Sequence, residues 1–234
     1  MPKYRLLSPY GKAPYVDKKS TPAPQLNQEF DDLHQAQKAA DGLRQYGYIV
    51  YDDEGNAAYN PCGTLLAAKI LYHAKINADH ARDEGYKYGD ASANPALDKT
   101  EKVVSCDRFT AWTLYDAGVN TDNQPPTKGY TMYTTNNFEQ FLIQQNFTKI
   151  TDKSEVQAGD IMFTGYSFNI PVPDDWKASP KHTFICAGKA TRDNYYRYDA
   201  GSDQRLQSTQ PSVEVLSYTD NVFRYAYRVP KETE

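Results

Sequence analysis

Val103-Val104-Ser105-Cys106-Asp107-Arg108-Phe109-Thr110-Ala111-Trp112 carries an apolar, strand-like pair into a helical pattern, with a cysteine at the junction. Ser105 reads as the N-cap, and Phe109, Trp112, Leu114 and Tyr115 give the following helix an apolar side, so Cys106 is expected in the first turn. The unpaired amides and the positive end of the helix dipole meet there, and both favour a thiolate, the nucleophilic form of the side chain. Taken alone, the stretch also reads as a buried structural cysteine, because free Cys is among the most buried residue types.

The rest of the chain narrows the choice. Its 234 residues suit one large domain or a domain with a small appendage. The 26 Lys and Arg against 30 Asp and Glu leave a net charge of −4, which argues against a nucleic-acid partner, since binding a phosphate backbone requires a basic surface. Three cysteines (Cys62, Cys106 and Cys186) form no CxxC motif, so neither a disulfide framework nor a zinc ribbon is indicated. The N-terminus lacks an apolar signal region and no apolar run approaches the roughly 18 residues of a membrane span.

Residues 1–62 read as a small β-α-β-β module. Tyr4 to Leu7 is a strand, Ser8 to Gln28 a loop, and Phe30, Leu33, Ala36, Ala40 and Leu43 a helical stripe ending before Gly47. Tyr48 to Tyr51 and Ala57 to Tyr59 follow as a hairpin around Asp53-Glu54-Gly55-Asn56. Pro61-Cys62-Gly63 marks the boundary with a second unit, residues 63–234. That unit opens on a long helix from the N-cap Thr64 to about Gly85. After the cysteine helix comes a short helix starting near Asn136 or Asn137. The period then changes to two, with strands at 149–150, 159–163, 182–187, 195–198 and 224–229. Helices first and an antiparallel meander after them make an α+β domain.

A reactive cysteine needs a base, and there are four histidines. His73 and His80 lie seven apart on the long helix, a pairing that raises metal binding, but the reinforcing HExxH pattern is absent and a polar helix edge accounts for both. His34 belongs to the first module. His182 opens a strand directly after a Pro-rich loop, where its imidazole can face the helix layer and serve as general base and acid. A hairpin centred near residue 191 would set Asp199 opposite His182 as the carboxylate that orients the ring; an ordinary turn residue is the equal alternative.

These residues resemble the NlpC-type papain-like cysteine peptidases and amidases, which cut bacterial cell-wall peptides. The resemblance covers roughly residues 64–229. Ser105-Cys106-Asp107-Arg108 is similar to the family's Asp-Cys-Ser-Gly nucleophile segment, Ala158-Gly159-Asp160-Ile161 to its Pro-Gly-Asp-Leu strand start, and His182-Thr183-Phe184-Ile185 to its His-Val-Gly-Ile strand. Tyr86 in Tyr86-Lys87-Tyr88-Gly89 resembles the tyrosine that in the family lines the site and helps hold the oxyanion. The resemblance implies a papain-like domain with the Cys on a helical layer and the His on an antiparallel sheet. It also implies a Cys106-His182-Asp199 site without metal or cofactor, and peptidoglycan peptides as substrate, cleaved by an endopeptidase or amidase.

The sequence departs from the family at several positions. Ser105 stands where the family has Asp, Asp107-Arg108 replaces Ser-Gly and makes the pocket beside the nucleophile more charged, and Asp199 replaces the usual His, Asn or Gln. Residues 166–181, with Trp176 and several prolines, form a longer approach to the His strand and read as a rim or lid, or as an ordinary excursion. The leaderless start suits a phage-type lysin held in the cytoplasm until lysis, or an extracellular protein whose leader has been removed. Within the same fold, acyltransferases and protein deamidases remain as readings, and beyond enzymes a silent binding protein or a structural component. The first module reads as a targeting element that holds wall polymer near the cleft, or as a stabilising appendage.

Overall fold

The computed structural model describes residues 3–15, 28–88, 103–119, 135–165, 182–189, 195–200 and 223–231. Among these residues it is an α+β fold with two antiparallel sheets, one short parallel pair and four α-helices.

The first sheet comprises β1 (Tyr4–Leu7), β2 (Glu29–Phe30), β3 (Ile49–Tyr51) and β4 (Ala57–Tyr59) in the order β2-β1-β3-β4, and α1 (Leu33–Gly42) packs against it. This adds a strand to the expected β-α-β-β module. Phe30, read from sequence as part of the helical stripe, belongs to β2 and pairs with Tyr4. The helix begins after it because Asp32 caps it, accepting from the Gln35 amide at 2.9 Å. Leu6, Ala36, Ala40 and Val50 fill the space between sheet and helix.

A 3-10 turn at Arg44–Tyr46 ends at Gly47, whose φ of 68° is left-handed. A Cβ at Gly47 would stand 2.0 Å from the carbonyl oxygen of Ala68 on α2 (Leu65–Asp83), so glycine is needed both for conformation and for the close approach of helix to turn. Thr64 starts α2, accepting from the Ala67 amide at 3.1 Å. Ile49, Tyr51 and Cys62 share one apolar cluster with α2, α3 (Cys106–Asp116) and the second sheet. Strand β3 therefore packs against α2, α3 and the second sheet, and the 3-10 turn adds a further contact.

The short parallel pair β5 (Lys87–Tyr88) and β6 (Val103–Val104) leads into α3, and α4 (Thr135–Gln144) precedes the second sheet. That sheet comprises β7 (Thr148–Ile150), β8 (Ile161–Thr164), β9 (His182–Lys189), β10 (Tyr195–Tyr198) and β11 (Phe223–Arg228) in the order β10-β9-β8-β11-β7. It is antiparallel, but it is not the meander expected: the last strand inserts between β7 and β8. Polar contacts hold β11 in that place. Arg228 binds the buried Asp160 carboxylate at the start of β8, with Nη2 at 2.8 Å, and the Tyr225 and Tyr227 hydroxyls donate to Glu139 on α4.

Alternation along β9 separates two cores. Ile185 and Ala187 face α2 and α3, whereas Phe184 and Cys186 join Met162, Tyr195 and Ala226 in a smaller cluster. Gly159, with φ 91°, lets α2 lie against the sheet, because a Cβ there would be 2.8 Å from that of Ala67. No helix among the described residues is long and apolar enough to cross a membrane.

Candidate active site

Cys106 is the first residue of α3, as the sequence predicts, and is 5% exposed. The helix start differs from expectation in one detail. Ser105 occupies the N-cap position with extended backbone, yet its hydroxyl caps no amide and donates instead to the Asp107 carboxylate. Asp107 Oδ1 also accepts from the Arg108 amide at 3.0 Å. A carboxylate can satisfy a first-turn donor as a serine oxygen does, and its charge suits the positive helix end. Asp107, a candidate substrate contact from sequence, is thus buried and engaged at the helix start.

His182 is the first residue of β9, paired with Thr164 of β8, and its ring lies 5.8 Å from that of Phe184. Its Nε2 is 2.8 Å from Asp199 Oδ2. Since Nε2 faces the carboxylate, Nδ1 is the ring atom left for the Cys106 thiol, which is near enough to act on the imidazole. Burial by itself would lower the His182 pKa. The hydrogen bonds and charges of Asp199 and Cys106 outweigh it, and the imidazole is pushed up to about 10. Asp199 behaves conversely: burial would raise its pKa, but the His182 hydrogen bond and the Arg197 charge hold the carboxyl below its usual value.

The route by which Asp199 reaches the ring differs from the expected register. Tyr198 pairs with Ile185, after a bulge between Tyr196 and Arg197. Continuing that register sets Asp199 beside Phe184 rather than His182, so the carboxylate meets the imidazole diagonally, within the reach of neighbours on one sheet face. Arg197, two residues earlier on the same side of the strand, is 3.3 Å through Nε from the same Asp199 oxygen. Sequence reasoning missed it, although the Arg-x-Asp alternation at a strand end was there to be read. Tyr198, between them, is fully buried and donates its hydroxyl to the Gln45 carbonyl oxygen of the 3-10 turn at 2.9 Å.

Tyr86 stacks on Trp112 at 6.3 Å between ring centroids, with His80 5.9 Å from Tyr86 and 5.8 Å from Trp112. Trp112 is six residues beyond Cys106 on α3, roughly 9 Å along the axis at 1.5 Å per residue. Trp176 and the rim at 166–181 lie outside the described residues. His73 shares a hydrogen bond between its Nε2 and the Tyr10 hydroxyl at 2.8 Å. Among the described residues no cluster of three or more His, Cys, Asp or Glu could hold a metal ion.

The other two thiols sit in different surroundings. All three cysteines are free and buried, but burial pushes Cys62 and Cys186 up to about 12, and among the described residues no imidazole acts on either. A 610 Å³ cavity at the start of α2 is lined by Cys62, Thr64, Gln157, Asp160 and Arg228, and includes none of Cys106, His182 and Asp199. No family model, curated protein or solved structure matches this chain.

Proposed function

We propose that the protein is a cysteine hydrolase of papain-like type that cleaves amide bonds in bacterial peptidoglycan peptides, with residues 63–234 as its catalytic unit. The observation that carries the reading is the grouping at one point of the fold: a cysteine at a helix N-terminus, an imidazole near enough for that cysteine to act on it, and a buried carboxylate 2.8 Å from the imidazole Nε2. The choice of cell-wall peptides over other amides rests on the sequence resemblance alone.

An imidazolium beside the sulfur is the counter-ion that a thiolate requires. The thiolate of Cys106 attacks the amide carbonyl carbon, and the negative charge that develops on oxygen falls near the free amides of the α3 N-terminus. His182 then gives its proton to the departing nitrogen as the C–N bond breaks, leaving a thioester. Water adds to the thioester as neutral His182 takes its proton, and the C–S bond breaks to release the acid and restore the thiolate–imidazolium pair. Asp199 accepts from Nε2 throughout and keeps Nδ1 facing the sulfur.

The test is mass spectrometry of purified wall fragments incubated with the protein and with Cys106→Ala. New termini that carry one added water and depend on Cys106 support the reading. Amine-exchanged products would assign acyl transfer, and ammonia release from protein glutamine would assign deamidation. Unaltered fragments with full-length folded protein would reject the cell-wall substrate.

A further inference from the structure

The contact between Arg197 and Asp199 lies outside the proposed chemistry, and nothing in that chemistry requires a second cation on the carboxylate. Arg197 is on β10 with its side chain 9% exposed, its guanidinium carbon 5.5 Å over the Phe184 ring and its Nε 3.3 Å from Asp199 Oδ2. His182 reaches that same oxygen at 2.8 Å, the shorter contact of the two. The carboxylate is therefore clamped between a titrating partner from β9 and a permanently charged one from its own strand. The Phe184 ring adds a cation–π contact to the guanidinium.

The two partners behave differently during a turnover. His182 alternates between imidazolium and imidazole, so each time it gives up its proton Asp199 loses the positive charge that favours its ionised form. A buried carboxylate in that position tends to take up a proton and so become a donor instead of an acceptor. A guanidinium does not titrate in this range and remains when the imidazole is neutral.

We infer that Arg197 is a positioning residue: it keeps Asp199 an ionised acceptor in both charge states of His182, which fixes Nε2 as a protonated ring nitrogen and leaves Nδ1 to exchange the proton with the leaving nitrogen and with water. The inference rests on the proposed roles of Cys106, His182 and Asp199. Among the described residues, the charged and titratable groups acting on Asp199 are His182 from β9 and Arg197 from β10; those acting on His182 are Asp199 and Cys106 from α3. The signs agree, because Arg197 and His182 both favour the charged carboxylate against the cost of its burial.

The measurement is the rate of Cys106 alkylation by iodoacetamide from about pH 4 to about pH 9, which needs no substrate. Wild type is compared with Arg197→Met, Arg197→Gln and Arg197→Lys, each also made in an Asp199→Asn background, with circular dichroism as the check on folding. The two neutral variants should move the acid limb of the profile upward by about one pH unit, so that alkylation near pH 5 falls about tenfold. Lysine should restore most of the wild-type profile, and in the Asp199→Asn background the Arg197 substitutions should cause no further shift. An acid limb that is unmoved or moves downward in folded Arg197→Met or Arg197→Gln overturns the inference, as does an equal shift in the Asp199→Asn background. If neither neutral variant folds, failure of Arg197→Lys to keep the wild-type limb overturns it instead. A wild-type profile with no acid limb would reject the Cys106–His182 pair itself, a separate outcome read from the parent protein alone.

Discussion

Asp199 Oδ2 lies 2.8 Å from His182 Nε2, on adjacent strands and one diagonal step apart. Together with Cys106, this contact makes a half-buried imidazole hold its proton at neutral pH. Replacing Asp199 with Ala should reduce turnover on the hydrolysed peptide by about a hundredfold or more, with KM little changed, while Asp199→Asn should retain part of the activity. Steady-state kinetics on folded variants checks it, and unchanged turnover in Asp199→Ala would hand the orienting role to another group.

The pair also sets a pH window for stability. The His182 pKa is raised in the fold, so its contribution is complete below about 6.5, the free imidazole value, and is lost as pH rises through about 10. Asp199 is shifted the other way, and its contribution is present above about 3.9 and lost on acidification below that. Urea unfolding of wild type and His182→Ala should differ most at about pH 5 to 6 and converge towards pH 10. A difference that grew with alkalinity would contradict the assigned charge state.

Electrophile labelling should separate the three thiols. Cys62 and Cys186 are held near 12 by burial and should stay unmodified in the native protein, with Cys106 alone alkylated. Peptide mapping of native and urea-unfolded samples reads this directly; label on Cys186 in the native state would show that its cluster opens.

Tyr10 and His73 form a second pH-sensitive contact, between the segment after β1 and α2. Burial lowers the His73 pKa against the opposing pull of Asp116, so the stability that it contributes is present above about 6.5 and lost as pH falls below that value. Amide exchange of residues 8–12 should quicken on moving from about pH 7.5 to about pH 5.5, after correction for the intrinsic rate, and His73→Gln should abolish the change. Tyr10→Phe should cost roughly 1 kcal/mol at pH 7.

Gly47 joins the turn to α2 with no room for a side chain, since its Cβ would fall 2.0 Å from the Ala68 oxygen. Gly47→Ala should destabilise the fold by roughly 2 kcal/mol or more in urea melts. Gly55, where a Cβ meets nothing within 4 Å, provides the comparison: its left-handed φ of 86° leaves conformational strain as the only cost, of order 1 kcal/mol.

Sequence periodicity carried the helices and strands because burial imposes it: the stripe Leu65, Ala68, Leu71 could only be a helix face, and the alternation at His182 to Ala187 only a two-faced strand. Cys106 at a helix start was legible because Val103-Val104 stops being periodic at Ser105. The cap was not, since Ser105 and Asp107 both offer an oxygen and only geometry decides which one meets an amide. Strand order was equally hidden: β11 goes between β7 and β8 through Arg228 to Asp160 and two tyrosines to Glu139, contacts spanning 68 to 88 residues that leave no local trace. Asp199 was found through a hairpin register off by one residue in its centre; the bulge between Tyr196 and Arg197 has no signature in those residues and brings the register half a residue nearer the expected one. The same bulge belongs to the stretch that brings Arg197 beside Asp199.

The hydrogen bond from Tyr198 to Gln45 spans 153 residues. Closing so long a loop is entropically slow, and local helices and hairpins form well before it. The anchor next to Asp199 is therefore expected to form late, once β10 reaches the 3-10 turn. A folding intermediate with α2, α3 and β9 in place would hold Cys106 and His182 without the anchored carboxylate, so reactivity would mature after secondary structure, and its appearance in a refolding experiment would time the final closure of the molecule.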